Sequence, residues 1–221
     1  MSLSDEQIER YSRQIIVPGF GGSVQERLLD SQAATVAAPA DALAAALYLA
    51  GAGVGRILIY PAAEQSAYRA IVERAHDLNG DVTVEIVGKK AEELPHATTD
   101  LVLALISNAA TAAIAERLFR AQRAKSAIVA RLDAPGKIAI LPIAPPCPLC
   151  AEANVLTAAG GRAANAGLFA MTAVTESLRV LAGMLSAPRL IEFAGFTTSI
   201  SALARRRAES GAPERCGCEM P

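Results

Sequence analysis

Two hydrophobic periods alternate along the first half of the chain. ADALAAALYLA at Ala40–Ala50 is an almost uncharged run that reads as a buried core helix, and the wider apolar stretch Ala42–Gly55 is shorter than the ~20 residues a membrane span needs. Short β-type runs flank it, Thr35–Ala38 and RILIY at Arg56–Tyr60, which form a right-handed crossover unit if they lie parallel. Upstream, Ser4 with Gln7 and Ser23 with Glu26 match the capping box, in which a hydroxyl and a returning side chain satisfy the first free amides of a helix. On the first of these two helices Ile8, Tyr11 and Ile15 share one face, so Arg10 and Arg13 point outward. Downstream the pattern predicts a helix over 65–78, an alternating strand over 82–87 and a strand buried on both faces over 100–106. A helix over 109–123 and strands over 127–132 and 137–143 follow. Pro142, Pro145, Pro146 and Pro148 interrupt regular structure; then come a helix over 166–185, strands over 189–193 and 197–203, and a polar tail. No repeat or linker divides the chain, so the expectation is one doubly wound α/β domain with an antiparallel C-terminal portion.

Composition narrows the function. With 52% hydrophobic residues in 221, the chain can bury a single large core. Its 21 basic and 22 acidic residues create no field for nucleic acid or an anionic membrane, and 4% aromatics without Trp give few stacking platforms. No nucleic acid and no membrane are therefore expected as partners. The polar start MSLSDEQIERYSRQ is neither a signal peptide nor an anchor, so the cytoplasm is expected. Four cysteines form two tight pairs, Cys147 with Cys150 and Cys216 with Cys218, which in a reducing compartment favours a metal over disulfides, free thiols being the alternative. If all four bind metal, no thiol remains for thioester or persulfide chemistry. His76, His96 and the run Arg205 to Arg207 read as surface residues.

LSDEQIERYSRQIIVPGFGGSVQERLLDSQ, then LYLAGAGVGRI, LNGDV, DLVL at Asp100 and CPLC resemble the ThiF/MoeB/HesA family, relatives of ubiquitin-activating enzymes. The likeness runs over nearly the whole chain. It implies a Rossmann-like doubly wound mixed sheet, with a helical segment at 1–31, the Rossmann-like half at 32–143 and a zinc-clasped C-terminal half at 144–221 of a single domain. It also implies a dimer, an adenylyltransferase activity on the C-terminal glycine of a ubiquitin-like protein, often a sulfur carrier for thiamine or molybdopterin synthesis, and a structural zinc. Cys147 and Cys150 match the family's first CxxC; Cys216-Gly-Cys218 is one residue short of the second.

Elsewhere the sequence departs from the family. Counting back from LYLA, the glycines of the phosphate-binding turn fall at Ala37, Pro39 and Ala42. Pro39 has no N–H to donate, the added Cβ atoms take space a ligand would need, and Asp41 in the helix's first turn would repel a triphosphate. As a plain helix start, the same residues are ordinary. Pro61 stands at the family's ribose-binding acid, with Glu64 beyond it. Ser66 to Arg69 replace a loop with a phosphate-binding arginine and lysine, and the first lysine is Lys89. Ser107, before Asn108, stands at the magnesium aspartate, while Asp133 suits a turn. ATP and magnesium are therefore not expected to bind. What persists is RYSRQ, where Arg13 corresponds to an arginine that reaches the partner's ATP; its alternative is a solvated helix residue. Three functions follow: a non-catalytic subunit in a heterodimer with an active ThiF/MoeB-like chain, a residual adenylyltransferase, or a homodimeric scaffold that binds a ubiquitin-like carrier without ATP.

Overall fold

The computed structural model describes residues 3–87, 99–120, 124–132, 136–142, 163–194 and 197–202. Cys147, Cys150, Cys216, Cys218, Lys89, His96, Asp133 and Arg205 to Arg207 lie outside these residues.

The elements are α1 (Asp5–Ile15), α2 (Gly21–Leu29), β1 (Gln32–Ala37), α3 (Pro39–Gly51), β2 (Arg56–Pro61), a 3-10 turn (Gln65–Tyr68), α4 (Arg69–Leu78) and β3 (Thr83–Ile86). They continue with β4 (Thr99–Ile106), α5 (Ala109–Arg120), β5 (Ala124–Arg131), β6 (Gly136–Leu141), α6 (Ala166–Leu181), β7 (Arg189–Ala194) and β8 (Thr197–Ala202). The eight strands of the described residues join one sheet in the order β3-β2-β1-β4-β5-β6-β7-β8. β3, β2, β1, β4 and β5 run parallel, and β6, β7 and β8 add on antiparallel. The mixed α/β sheet expected from the sequence is thus present, and strand order reverses between β1 and β4.

Period-two burial decides the layers. Leu101, Leu103 and Leu105 of β4 join the core under α3, α4 and α6, whereas Val102, Ala104 and Ile106 face the cluster that includes Leu118 and Phe119 of α5. Both faces of β4 are covered, which is why its sequence shows no alternation. Alanines at 42, 45, 46 and 50 line the inner side of α3 and are fully buried, so this helix seats on the sheet through methyl groups.

Local expectations fared unevenly. Ser4 and Gln7 form the capping box: the Gln7 amide donates to Ser4 Oγ at 3.2 Å and the Ser4 amide to Gln7 Oε1 at 3.1 Å. The second box does not form. α2 begins at Gly21, whose φ of +71° turns the chain directly into the helix, and Ser23 falls inside its first turn. The helix expected over 65–78 divides into the 3-10 turn and α4, because the tighter winding carries Tyr68 inward. Of the face expected to anchor α1, Tyr11 is buried but Ile8 is 47% exposed, since α1 is held mainly by polar contacts near its middle and end. Arg10 is exposed, as expected, and its Nε also lies 3.2 Å from Asp81 Oδ2. Arg13 is exposed, as expected.

Candidate functional site

In a doubly wound sheet, ligands bind outside the carboxyl ends of the strands where their order reverses, which here is the end of β1 beside β2 and β4. Ala37 ends β1 and pairs in parallel register with Pro61 at the end of β2. Ala38 is the extended N-cap of α3, without a side-chain capping bond, and Pro39 opens the helix. The Ala42 amide then donates to the Ala38 carbonyl at 2.8 Å as the first helical bond. Ala37 and Ala42 are both fully buried in the main core, and Asp41 in the first turn is 4% exposed.

A residue to which the sequence assigns no role completes this end. Tyr68 is fully buried; its hydroxyl donates to the Ala37 carbonyl at 2.8 Å and accepts from the Ala62 amide at 3.0 Å. Burial raises its pKa above 10.0. After β4, the Ser107 and Asn108 amides donate to Thr111 Oγ1 at 3.1 and 3.2 Å, and Asn108 Oδ1 accepts from the Thr111 amide at 3.0 Å. These bonds cap α5. Ser107 Oγ is buried and has no hydrogen-bond partner among the described residues.

The opposite end of α3 is built differently. The last carbonyls of a helix lack intrahelical donors, and here three side chains from three segments supply them. Asn79 Nδ2 donates to the Ala50 carbonyl at 2.7 Å, Gln14 Nε2 to Gly51 at 3.3 Å, and Gln25 Nε2 to Ala52 at 3.1 Å. Asn79 Nδ2 also donates to the Tyr11 hydroxyl at 2.8 Å, which in turn donates to Asp81 Oδ2 at 3.2 Å. Desolvation of the buried Tyr11 raises its pKa, with the Asp81 carboxylate adding to the shift. Gly53, at φ +86°, closes the turn after α3; a Cβ there would sit 2.5 Å from Gln25 Nε2 and 2.9 Å from the Tyr11 ring. RYSRQ, QERL, AGVG and LNGD are therefore one spatial cluster, brought together from segments 27 to 37 residues away from the end of α3 in sequence, and no local pattern announces it.

The structure does not bring Arg13 near its own chain's crevice. Gln14, its neighbour, reaches the C-terminal end of the 13-residue α3, about 20 Å from the N-terminal end where the crevice lies. Pro61, partly buried, only closes β2. Among the described residues no group of three or more His, Cys, Asp or Glu side chains is placed to hold a metal, and no helix is long and apolar enough to cross a membrane.

An open, largely parallel sheet that reverses order at β1/β4 and gains three antiparallel strands defines a Rossmann-type α/β protein. No protein-family model matches the chain. It is 33% identical over 127 residues to the vegetative HesA protein of Trichormus variabilis, covering 49% of this chain and 46% of that protein. Against the sulfur carrier protein ThiS adenylyltransferase of Escherichia coli it is 42% identical over 57 residues, 26% of this chain and 23% of the relative. The matched part spans less than half the length of these curated relatives. Among solved structures, E. coli MccB with succinimide shares the fold at a TM-score of 0.66 and 14% identity, covering 92% of this chain and 74% of MccB. Over the matched part of its sequence the chain is similar to HesA and to ThiF/MoeB-type adenylyltransferases, and it shares the fold of MccB.

Proposed function

We propose that this chain is a ThiF/MoeB-like protein without a working ATP site of its own, which serves as the non-catalytic partner subunit of an activating enzyme for a ubiquitin-like sulfur carrier. The observation that carries this reading is the state of the crevice. The methyl groups of Ala37 and Ala42 are core atoms, the Ala37 carbonyl is taken by Tyr68, and a buried carboxylate, Asp41, stands in the helix's first turn. These residues do not fit a triphosphate, whose anion needs free amides and close backbone approach. Ser107 offers a hydroxyl where a hard cation would need a carboxylate.

Arg13 supports the pairing. At the far end of α3 it cannot serve its own crevice, but it is exposed on a helix tied to the body through Tyr11, Gln14 and Arg10. In the proposed pair it neutralises phosphate charge in the partner's site. The outward side of α3, with Tyr48 63% exposed and Leu43 and Leu47 half-buried, carries no charge, as suits a helix that faces another chain. The decisive experiment purifies the protein from its native cell, identifies the ThiF/MoeB-like chain bound to it, and assays carrier adenylation. Calorimetry of the isolated protein should give no heat with millimolar ATP and magnesium, and Arg13→Ala should lower the pair's activity about a hundredfold with assembly unchanged. Tight ATP binding by the isolated chain would restore the adenylyltransferase reading. A fully active Arg13→Ala pair would favour the carrier-binding scaffold.

A structural zinc held by Cys147, Cys150, Cys216 and Cys218 belongs to the same proposal, supported by the pairing of the thiols in sequence. Protein expressed without added metal should contain one zinc per chain, lost when all four become Ser. Metal content well below one per chain, and unmoved by that change, would dismiss it.

A further inference from the structure

The end of β1 and the start of the β2–α4 connection leave two backbone groups facing one another, the buried Ala37 carbonyl and the half-buried Ala62 amide. Buried backbone groups require partners, and one acceptor beside one donor is the pattern that a single hydroxyl satisfies. Tyr68 supplies that hydroxyl, with its ring wholly inside the main core. The connection over residues 62–68 is short and ends in the 3-10 turn, so the ring is delivered between α3 and the strand ends rather than out to solvent. A dinucleotide-binding sheet places its ligand at this position, between the turn after β1 and the end of β2.

We infer that Tyr68 is the resident occupant of the crevice, a phenol held by the chain itself in the space a nucleoside would take. The crevice is thus filled from within, rather than merely stripped of its glycines, and its two hydrogen-bonding groups select a hydroxylated aromatic of phenol size. This goes beyond the proposed subunit role and stands or falls independently of any partner.

Truncation should turn the occupant into an exchangeable ligand. Tyr68→Gly should lose roughly ten degrees of Tm, in keeping with removal of a buried aromatic side chain. Phenol at millimolar concentration should return several of those degrees in a saturable way, toluene distinctly less because it lacks the hydroxyl, and the wild type should not respond to either. Tyr68→Phe, which keeps the ring, tests the idea should the glycine variant not fold: it should lower Tm by a few degrees, whereas the exposed control Tyr48→Phe should not. A Tyr68→Gly protein indifferent to phenol, a Tyr68→Phe protein as stable as the wild type, or stabilisation of the wild type by adenosine would each overturn the inference. A failed phenol response together with no ATP binding would remove this inference alone and leave the subunit reading untouched.

Discussion

The two ends of α3 have been treated in opposite ways. At its N-terminus Ala37 and Ala42 belong to the core, Asp41 lies buried in the first turn, and the Ala37 carbonyl accepts from Tyr68. At its C-terminus three carbonyls are met by amide side chains from α1, α2 and the α4–β3 turn, and the glycine that makes room for them is retained. A helix dipole exposes partial positive charge at one end and partial negative charge at the other. Here the positive end has an internal carboxylate in its first turn and the negative end has internal donors. The motifs RYSRQ, QERL, AGVG and LNGD all meet at the second end.

The largest test of this contrast is Gly53→Val. Its positive φ and the crowding against Gln25 and Tyr11 should together cost about 3–5 kcal/mol, read by urea denaturation. A near-neutral result would mean that the C-terminal cluster is not tightly packed. The triple reversion of Ala37, Pro39 and Ala42 to Gly should cost less, about 2–4 kcal/mol, from lost methyl burial and added backbone freedom. It should still show no ATP binding by calorimetry. Micromolar affinity in that variant would reduce the difference between the two ends to three missing glycines.

The smallest effect should appear in alkali. The folded-state pKa values of Tyr11 and Tyr68 are raised above 10.0, so their contribution to stability is complete below pH 10 and falls away as pH rises through the folded values. Tyr11→Phe should flatten the decline in stability above pH 10, seen in chemical denaturation repeated across that range. An unchanged slope would show that the hydroxyl is not desolvated as described.

Much of the fold was legible because it is local. Short apolar runs on either side of an uncharged helical stretch located β1, α3, β2 and β4 within a few residues, and Pro39 and Asp41 marked a helix start that the structure contains. What escaped was contact between distant segments. Tyr11 meets Asn79 across 68 intervening steps of sequence, and Tyr68 meets Ala37 across 31, through a sheet order that no periodicity encodes. Ser23 misled for the opposite reason, since a local motif was overridden by the chain entering α2 at Gly21. At the crevice the sequence displayed Ala37, Pro39 and Ala42 in the turn, but not the contact of Tyr68 with Ala37.

How α1 is attached also sets how the molecule opens. Apart from Tyr11, it is held by side-chain hydrogen bonds and an ion pair to Asp81 whose arginine side chain is 44% exposed, and Ile8 overhangs into solvent. Such contacts part at lower free energy than a packed strand. In hydrogen exchange the amides of α1 should therefore be released by a local opening that leaves β1 and β4 protected. Peeling away α1 would also free the Gly51 carbonyl from Gln14 and carry Arg13 away with the helix, so a partner that grips α1 would hold that end of α3 closed as it binds.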